Sequence, residues 1–429
     1  MFKKIIVTAD DFGLTRGITD TILQASDNGA LTRVSIIPNG YAVDYALNEW
    51  RKRSGKLSLS IHLNLTEGKA LSNPMDIPHL VDSQGMFRHS PFSFLVRTLC
   101  ALPSTRRAIM TEVENEFTAQ IEYVRARVGG VRLAVDGHQH AHIIPLVFSG
   151  LLSLHRRYNF ESIRLPCEPF FFDIVSWRRY LSLGLLRHMA LNFFSRTLKG
   201  RVLRDKLPHP DFFISTLMSG QLILSSVASA LGEALRRGGN VVEIGFHPGT
   251  ARPGELEKWK GDTAWQYSSW RMREQELIQS PKFMALTQSF LDGTLSSAGS
   301  RALEVWRFVI AGVIATGTNL GLLYALTDFL GLWYVVSVII AYGVATGISF
   351  TLQKFWTFSH YSLERVRRET VLYILNNLLG VVFDVGGLYI LVEYAGVWYM
   401  VAQFVLLALI AIWNFFVFRF FIFPAQSKN

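Results

Sequence analysis

Carboxylates and imidazoles concentrate in four short motifs, whose residue types could carry out chemistry together. The motifs are Thr8-Ala-Asp-Asp-Phe-Gly13, Ile61-His-Leu-Asn-Leu-Thr-Glu-Gly68, Asp136-Gly-His-Gln-His-Ala-His142 and Phe246-His-Pro-Gly249. A single Asp or His is more often a satisfied structural group, but four such clusters are difficult to assign to structure alone. One carboxylate and two imidazoles suit Zn²⁺, or Mg²⁺ or another divalent ion, and keep positions free for water and substrate.

Such a site can hydrolyse an amide. A bound divalent metal lowers the pKa of its water from about 15.7 towards about 7 and polarises the carbonyl. A second carboxylate can take the proton of the water as general base, and a histidine on the opposite side can protonate the departing amine. The pair Asp10-Asp11 can supply base and ligand together, since adjacent residues at a strand end can point to different sides of the site.

The elements that must position these motifs alternate between strand and helix. Short apolar runs predict strands over residues 4–8, 34–38, 57–63, 131–135, 162–165 and 240–244, and helical patterns cover residues 17–28 and 111–128. This alternation indicates an α/β fold with a mostly parallel sheet, in a (β/α) barrel-like arrangement. Chemistry in such folds lies at the carboxyl ends of the strands, where the motifs fall.

The four motifs resemble those of the YdjC family of carbohydrate deacetylases, also described as ChbG/HpnK-like, over residues 1–295. The resemblance implies that Asp11, His62 and His138 are the metal ligands. It also implies that Asp10 is the general base and that His247 is the general acid.

Further residues are candidates for substrate binding or for supporting the ligands. Asp136 is expected to orient a ligand histidine. His140 and His142 are expected to support the site, although a shift of register would exchange His138 with His140. Arg164 can steady a catalytic carboxylate, bind substrate or form a structural ion pair, and Asn64 is a further candidate in its motif.

Residues 170–207 depart from a minimal soluble family member. They mix aromatic residues and leucines with the basic residues Arg178, Arg179, Arg187, Arg196, Lys199, Arg201, Arg204 and Lys206. This pattern suits a basic amphipathic helix in the membrane interface, where its charge could also meet a polyprenyl phosphate. The alternative is an ordinary helical insertion packed on the barrel, and we favour the interface.

The remainder of the chain is predicted to be an all-α transmembrane domain of four helices over residues 307–424, after a linker at 296–306. Apolar segments cover residues 308–326, 333–352, 371–392 and 398–418. Each has about 20 residues, the length that crosses about 30 Å of hydrocarbon. Because none has the polar face of a helix on a soluble core, the segments are expected to span a membrane.

The distribution of basic residues predicts the orientation of this domain. Lys and Arg occur before the first segment, between the second and third, and after the fourth, but not in the turns near Asp328 and Glu393. The positive-inside rule therefore places both termini in the cytoplasm of a multi-pass inner-membrane protein of bacteria. The soluble domain is expected there too, because the apolar run at residues 5–7 is too short for a signal peptide and the chain has only two cysteines.

An internal repeat relates the two halves of the membrane domain at an offset of 65 residues. Asn319-Leu-Gly-Leu-Leu-Tyr324 aligns with Asp384-Val-Gly-Gly-Leu-Tyr389, and Lys354-Phe-Trp-Thr-Phe358 aligns with Arg419-Phe-Phe-Ile-Phe423. Asn319 and Asp384 thus occupy equivalent intramembrane positions, either as functional groups or in a hydrogen bond between helices. Residues 303–425 resemble the GtrA-like family, four-helix membrane proteins associated with polyprenyl-linked sugars.

Together the two halves predict an enzyme that removes an N-acyl group, acetyl above all, from an aminosugar on polyprenyl phosphate. The resemblance extends to deacetylases of undecaprenyl-phosphate N-acetylhexosamine that serve lipid A or cell-surface glycan modification. The alternatives are a deacetylase of soluble oligosaccharides with a membrane anchor and a flippase of lipid-linked sugar. The net charge of +10 is attributed to the bilayer surface and not to nucleic acid, and weak homo-oligomerisation is expected.

Overall fold

The computed structural model describes residues 3–171, 173–295, 299–358 and 366–423. The chain divides into two compact units, Met1–Ser297 and Ala298–Asn429. The first unit carries the four polar motifs, and the second carries the apolar segments.

The first unit is built on a sheet of six parallel strands in the order β4-β3-β2-β1-β6-β5. The strands are β1 (Lys4–Phe12), β2 (Arg33–Ile36), β3 (Ser58–Leu63), β4 (Ala134–Gly137), β5 (Phe212–Ile214) and β6 (Val241–Phe246). Parallel strands are covered on both faces, and accordingly nearly every residue of β2, β3, β4 and β6 is buried. All six strands therefore deliver their carboxyl ends to the same edge.

Residues 162–167 fill the space between the two edge strands, β4 and β5. The N–H of Val135 donates to the carbonyl of Ser162 at 2.9 Å, and the N–H of Arg164 donates back to Val135 at 3.0 Å. On the other side, the N–H of Phe213 donates to the carbonyl of Cys167 at 3.0 Å. The sheet thus curves towards closure, which confirms the barrel-like α/β fold.

The predicted strand at 162–165 forms a single parallel bridge, and β5 was not predicted.

Helices surround the sheet and start at clear sequence signals. Thr15 caps the first helix by accepting the N–H of Ile18, and prolines begin α3, α4, α5 and α10, where the missing N–H costs nothing. The helices are α1 (Arg16–Asn28), α2 (Val43–Arg51), α3 (Pro91–Cys100), α4 (Pro103–Val128), α5 (Pro145–Tyr158), α6 (Leu183–Arg204), α7 (Leu224–Arg236), α8 (Thr263–Gln266), α9 (Ser269–Gln279) and α10 (Pro281–Asp292). Short 3₁₀ segments lie at Pro74–Asp76, His138–Ile143 and Ile174–Leu181.

The basic insertion at 170–207 consists mainly of the 3₁₀ segment Ile174–Leu181 and helix α6. One face of α6 packs on the barrel through His188, Asn192, Ser195, Leu198 and Val202. The exposed large apolar residues of the helix are Leu183, Leu186, Met189, Phe193 and Leu203. Packing on the barrel and an exposed apolar surface therefore coexist, and the membrane-interface role of this segment stays a prediction.

The second unit contains helices α11 (Gly299–Tyr324), α12 (Tyr334–Thr351), α13 (Val366–Tyr389) and α14 (Tyr399–Val417). Each runs into a π-helical turn, at Ala325–Phe329, Leu352–Thr357, Ile390–Tyr394 and Phe418–Ile422. Among the described residues, one helix, Glu304–Phe329, is long and apolar enough by itself to cross a membrane. Residues 299–306, predicted as part of a linker, form the first turns of α11; residues 296–298 lie outside the described residues.

The predicted repeat is present in the backbone. Gly331 and Gly396, 65 residues apart, both have φ of 63° after equivalent π turns. Trp333 and Trp398 then cap α12 and α14 with the same ψ of 126°. The two halves of the unit therefore share one conformation.

Two ion pairs cross between the halves in a reciprocal manner. Lys354 of the first half pairs with Glu369 of the second, and Arg419 of the second pairs with Glu304 of the first, at 3.0 Å between Nε and Oε2. Lys354 and Arg419 are equivalent in the repeat, as are Glu304 and Glu369. The first pair is almost fully buried, and Arg419 in the second is 29% exposed.

The candidate polar residues of this unit occupy different surroundings. Asn319 lines a small cavity together with Thr316, Tyr342 and Thr346. Asp384 is half-buried on α13. Their functional role stays a prediction.

The different burial of the two ion pairs predicts that two matched substitutions lower the stability of the second unit by unequal amounts. Glu369→Gln removes the carboxylate partner of buried Lys354. Loss of one partner of a buried ion pair lowers the free energy of unfolding by roughly 3–5 kcal/mol. Glu304→Gln should destabilise the unit less, because water solvates the exposed part of Arg419. Thermal unfolding of the full chain in detergent measures both variants. An equal or reversed order would contradict the difference in burial.

Candidate active site

Strand β1 delivers two adjacent carboxylates to the site in different directions. Its pairing with β2 is irregular between Ala9 and Phe12, and Asp11 adopts the left-handed φ of 65°. A residue with a side chain rarely adopts this backbone conformation, so contacts in the surrounding structure must offset its cost in free energy. The irregularity gives Asp11 a different direction from Asp10, and their roles as ligand and base stay predictions.

His62 is fixed by its neighbour across the sheet. His62 of β3 lies opposite Asp136 of β4, and its Nδ1–H donates to Asp136 Oδ1. Asp136 also accepts the hydroxyls of Ser35 and Ser60, at 2.7 and 2.6 Å from Oδ2. Burial alone would raise the pKa of Asp136, but Arg164 and His62 outweigh it and hold that pKa far below its usual range. Ionised Asp136 therefore leaves Nε2 of His62 free to bind a metal.

Three buried atoms form a triangle suited to a metal ion. His62 Nε2 lies 3.2 Å from His138 Nδ1, and Asp11 Oδ1 lies 3.6 Å from His138 Nδ1 and 4.0 Å from His62 Nε2. Asp11 Oδ1 has no hydrogen-bond partner in the described part of the chain. These separations are close to the edges, roughly 3.3 Å, of a tetrahedron with bonds of about 2.0–2.1 Å. The three residues therefore fit a divalent metal.

A second group with metal-binding side chains shares His62 with the first. Asp10, His62 and Asp136 also place one ligand atom each within 4.8 Å of one another. Both carboxylates of this group are already bound to Arg164 or His62. The triangle that contains Asp11 and His138 is therefore the better metal site.

Arg164 is surrounded by carboxylates at the centre of the barrel. It donates to both oxygens of Asp10 at 2.7 and 2.9 Å and to Glu243 at 2.7 Å, and it lies 3.4 Å from Asp136. Burial would lower the pKa of Arg164, but these carboxylates raise it well above its usual value. Of its three possible roles, the structure places Arg164 on Asp10, the predicted general base, in a fully buried ion-pair cluster.

A second buried arginine holds the other aspartate. Arg271 of α9 donates from Nη1 to Asp11 Oδ2 at 2.8 Å and also contacts the carbonyl of Gly249. Burial would raise the pKa of Asp11, but Arg271 and the nearby histidines lower it strongly. Asp11 is therefore ionised, with one oxygen on Arg271 and the other facing the two histidines.

His247 lies between Asp10 and Glu274. Its Nε2 is 3.9 Å from Asp10 Oδ2, and its Nδ1 is 3.9 Å from Glu274 Oε2, which also accepts the backbone N–H of His247 at 2.6 Å. Burial lowers the pKa of His247 to about 4 and raises the pKa of Glu274 to about 7. Near neutral pH, a neutral imidazole thus lies beside a carboxyl group that can still carry a proton.

The turn after β4 brings His138 into the site. Gln139 and His140 both have positive φ, 51° and 59°, which reverses the chain directly after His138. His138 Nε2 lies 3.2 Å from Glu67 Oε2, and Glu67 accepts further hydrogen bonds from Gln139 and Trp259. The structure therefore places His138, and not His140, beside Asp11.

The remaining predicted residues support this arrangement from different positions. His140 lines the pocket, and His142 is fully buried with Nε2–H donating to the carbonyl of Arg164 at 2.8 Å. A Cβ at Gly137 would lie 2.5 Å from His142, so this close approach requires glycine. Asn64 is fully buried and shapes the turn before Glu67 by accepting its N–H at 3.2 Å. Asn64 is not among the described residues that line the pocket, and a role in substrate binding stays a prediction.

These side chains open into one pocket at the carboxyl ends of the strands. Its lining residues are Asp10, Asp11, His62, Glu67, Gly137, His138, Gln139, His140, Arg187, Ser219, His247, Asp262, Trp265 and Gln266. The pocket thus combines a metal-binding triangle, a carboxylate and an imidazole. This arrangement is suited to metal-assisted hydrolysis.

Comparison with known proteins agrees with this chemistry. The family model described as YdjC-like protein matches residues 4–289, more than half of the chain. The chain belongs to the YdjC-like protein family. Its second unit matches the transmembrane domain of the GtrA/DPMS family over residues 307–423. Both family predictions from the sequence are therefore confirmed.

Relatives of the YdjC-like domain have similar names across distant organisms. A carbohydrate deacetylase of Oceanobacillus iheyensis is 35% identical over 160 residues, which are 36% of this chain and 62% of that protein. A carbohydrate deacetylase of Mus musculus is 28% identical over 297 residues, which are 66% of this chain and 90% of that protein. The first match thus spans less than two thirds of the relative. The predicted enzyme class is the class of these relatives.

A solved structure resembles the chain more distantly. It is of an Enterococcus faecalis protein named for cellobiose-phosphate cleavage, with 22% identity and a TM-score of 0.47. The similarity covers 68% of this chain and 96% of that chain.

Sequence reasoning missed several residues of the YdjC-like site. Glu67 lies within a quoted motif and could have been found there. Arg271 and Glu274 lie three residues apart on α9, in a stretch with no distinguishing pattern. Glu243 precedes the last motif within β6, where it reads as an ordinary strand residue.

We expect Asp136→Asn to weaken metal binding about 10–100-fold, the usual effect of losing a partner behind a ligand histidine. The amide of Asn can donate to His62 Nδ1, which would put the proton on Nε2 and block coordination. Zinc titration of the metal-free full chain measures the affinity. Asp44→Asn, an exposed change, is the matched control, and unaltered affinity in Asp136→Asn would contradict the role given to Asp136.

The raised pKa of Glu274 predicts a pH-dependent stability. Because the folded state favours protonated Glu274, the stabilising contribution of this proton is complete below pH 4.5, the ordinary pKa of a glutamate, and is lost as pH rises through about 7. Glu274→Gln should remove this loss, and exposed Glu276→Gln on the same helix should not. Thermal unfolding of the metal-free full chain between about pH 5 and pH 8 measures the difference. Parallel pH profiles of Glu274→Gln and wild type would contradict the prediction.

Proposed function

We propose that this protein is a metal-dependent deacetylase that removes the N-acetyl group of an aminosugar carried on polyprenyl phosphate. The observation that carries the proposal is the triangle of Asp11, His62 and His138 beside Asp10 and His247. Zinc is the metal we expect, because two imidazoles and a carboxylate form a ligand set typical of catalytic zinc.

A divalent metal bound here would supply a Lewis acid for the acyl oxygen and acidify the attacking water. Asp10 faces the same pocket as the three ligand residues, with both oxygens positioned by Arg164, and is the acceptor for the proton of that water. His247, which is neutral before the reaction, is next to Asp10 and is the candidate for taking up a proton and delivering it to the departing nitrogen. Water adds to the acyl carbon, the C–N bond breaks, and acetate and a free amine are the products.

The second unit supports a lipid-linked substrate. A GtrA/DPMS transmembrane domain on the same chain would keep the catalytic domain beside a bilayer, where polyprenyl phosphates reside. The distribution of Lys and Arg favours the cytoplasmic face of the bacterial inner membrane. The free amine would lower the negative charge of a lipid A or cell-surface glycan.

Mass spectrometry of polyprenyl-phosphate N-acetylhexosamine tests this proposal. The zinc-loaded full chain should remove one acetyl group, and Asp10→Asn should lower the rate about 10²-fold or more, because it removes the general base. Asp44→Asn serves as the matched surface control. Chelation of the metal should abolish the reaction, and added zinc should restore it.

A soluble chito-oligosaccharide in parallel reactions separates the alternatives. Turnover of the soluble sugar with an intact lipid would leave the second unit as an anchor. If the zinc-loaded enzyme changes neither substrate, the deacetylase proposal fails and transport of a lipid-linked sugar becomes the better hypothesis.

A further inference from the structure

Arg187 introduces a positive charge into an otherwise acidic pocket. It extends from α6 and is the one Lys or Arg among the described lining residues, which also include the carboxylates Asp10, Asp11 and Glu67. The metal triangle lies in the same pocket. A guanidinium at this position is not needed to bind the metal or to hold either catalytic aspartate.

Arg187 differs from the other arginines of the site in its partners. Arg164 and Arg271 each donate to a carboxylate at 2.7–2.9 Å. No hydrogen bond or ion pair joins Arg187 to any residue that the structure describes, although the residue as a whole is exposed to solvent. Surrounding protein atoms nevertheless desolvate its guanidinium, which lowers the pKa of Arg187. A cation in this condition gains from an incoming anion, and the planar guanidinium matches phosphate oxygens.

A second arginine of the insertion contacts a residue of the pocket lining. Arg179 Nη2 donates to the backbone carbonyl of Ser219 at 3.3 Å, and Ser219 lines the pocket. Its Nε is buried and has no hydrogen-bond partner among the described residues. The 170–207 insertion therefore gives this side of the pocket a positive potential.

The surface of α6 next to Arg187 is apolar. Leu183, Leu186, Met189 and Phe193 are between 57% and 82% exposed. With 3.6 residues per turn, these four residues form a strip along one side of the helix, and Arg187 adjoins it. A charged group in the pocket and a hydrocarbon chain along the helix would therefore be bound by neighbouring residues of one element.

We infer that Arg187 binds the phosphate of a glycosyl phosphate whose acylamino group lies at the metal site, and that the strip on α6 receives the start of its lipid chain. This inference rests on the proposed function. In a 2-acylamino sugar 1-phosphate, the two groups are attached to adjacent ring carbons, so one compact pocket can hold both. Arg187 thus selects phosphorylated sugars over neutral ones, as a specificity residue and not a proton-transfer group.

Three substrates given to the zinc-loaded full chain test the inference. They are N-acetylglucosamine 1-phosphate, its phosphodiester with a short prenyl chain, and a neutral alkyl N-acetylglucosaminide. The measured quantity is kcat/KM for each phosphorylated substrate divided by kcat/KM for the neutral substrate. Arg187→Ala should lower this ratio about tenfold or more, chiefly by raising KM for the phosphorylated substrate. Arg187→Lys should restore part of the ratio, because it keeps the charge but loses the two-pronged geometry.

Matched variants separate the phosphate from the lipid. Arg106→Ala removes an exposed arginine of a different helix, α4, and should leave the ratio unchanged. Leu186→Ser with Phe193→Ser should weaken the prenyl substrate alone. If that pair affects the prenyl substrate no more than the free sugar phosphate, the lipid part of the inference is overturned.

Binding without turnover keeps the two proposals distinguishable. Calorimetry with N-acetylglucosamine 1-phosphate should show weaker binding to Arg187→Ala than to wild type. If wild type binds it through Arg187 but deacetylates no substrate, the proposed function fails and phosphate binding stands. If wild type is active and Arg187→Ala keeps the wild-type ratio and affinity, the inference about Arg187 is overturned.

Discussion

The buried guanidinium of Arg164 is the group on which the rest of the YdjC-like domain depends. It binds Asp10 and Glu243 and lies near Asp136, so β1, β6 and β4 meet at one cation. Arg164 belongs to the segment that fills the space between the two edge strands. Breaking a buried ion pair typically costs about 3–5 kcal/mol, because the remaining charge is left uncompensated. Closure of the barrel and placement of Asp10 therefore rely on the same side chain.

Two arginines give different tasks to two adjacent aspartates. Both oxygens of Asp10 face Arg164, whereas only one oxygen of Asp11 is held by Arg271, so the other oxygen faces His62 and His138. The left-handed backbone at Asp11 makes this division possible. The strain is tolerated because Arg271, from a helix about 260 positions further along the chain, fixes the side chain.

Duplication explains the charged groups of the second unit. A buried lysine is costly unless it is paired, and Lys354 pairs with Glu369 from the other half. The repeat places equivalent residues in the other half, and these form the second pair, Arg419 with Glu304. The two halves are thus joined by exchanged ion pairs, which a single half could not form.

The sequence by itself determined which residue types stand at the strand ends, where the apolar helices lie, and that two halves repeat, because these features depend on local periodicity and composition. It did not reveal β5, whose three residues carry too little pattern, and it left three roles open for Arg164. Only the tertiary structure decided that Arg271, Glu274 and Glu67 complete the site and that Asn64 shapes a turn. Contacts such as Asp11 with Arg271 join residues distant in the chain, and no local pattern records which distant side chains the fold brings within hydrogen-bonding distance.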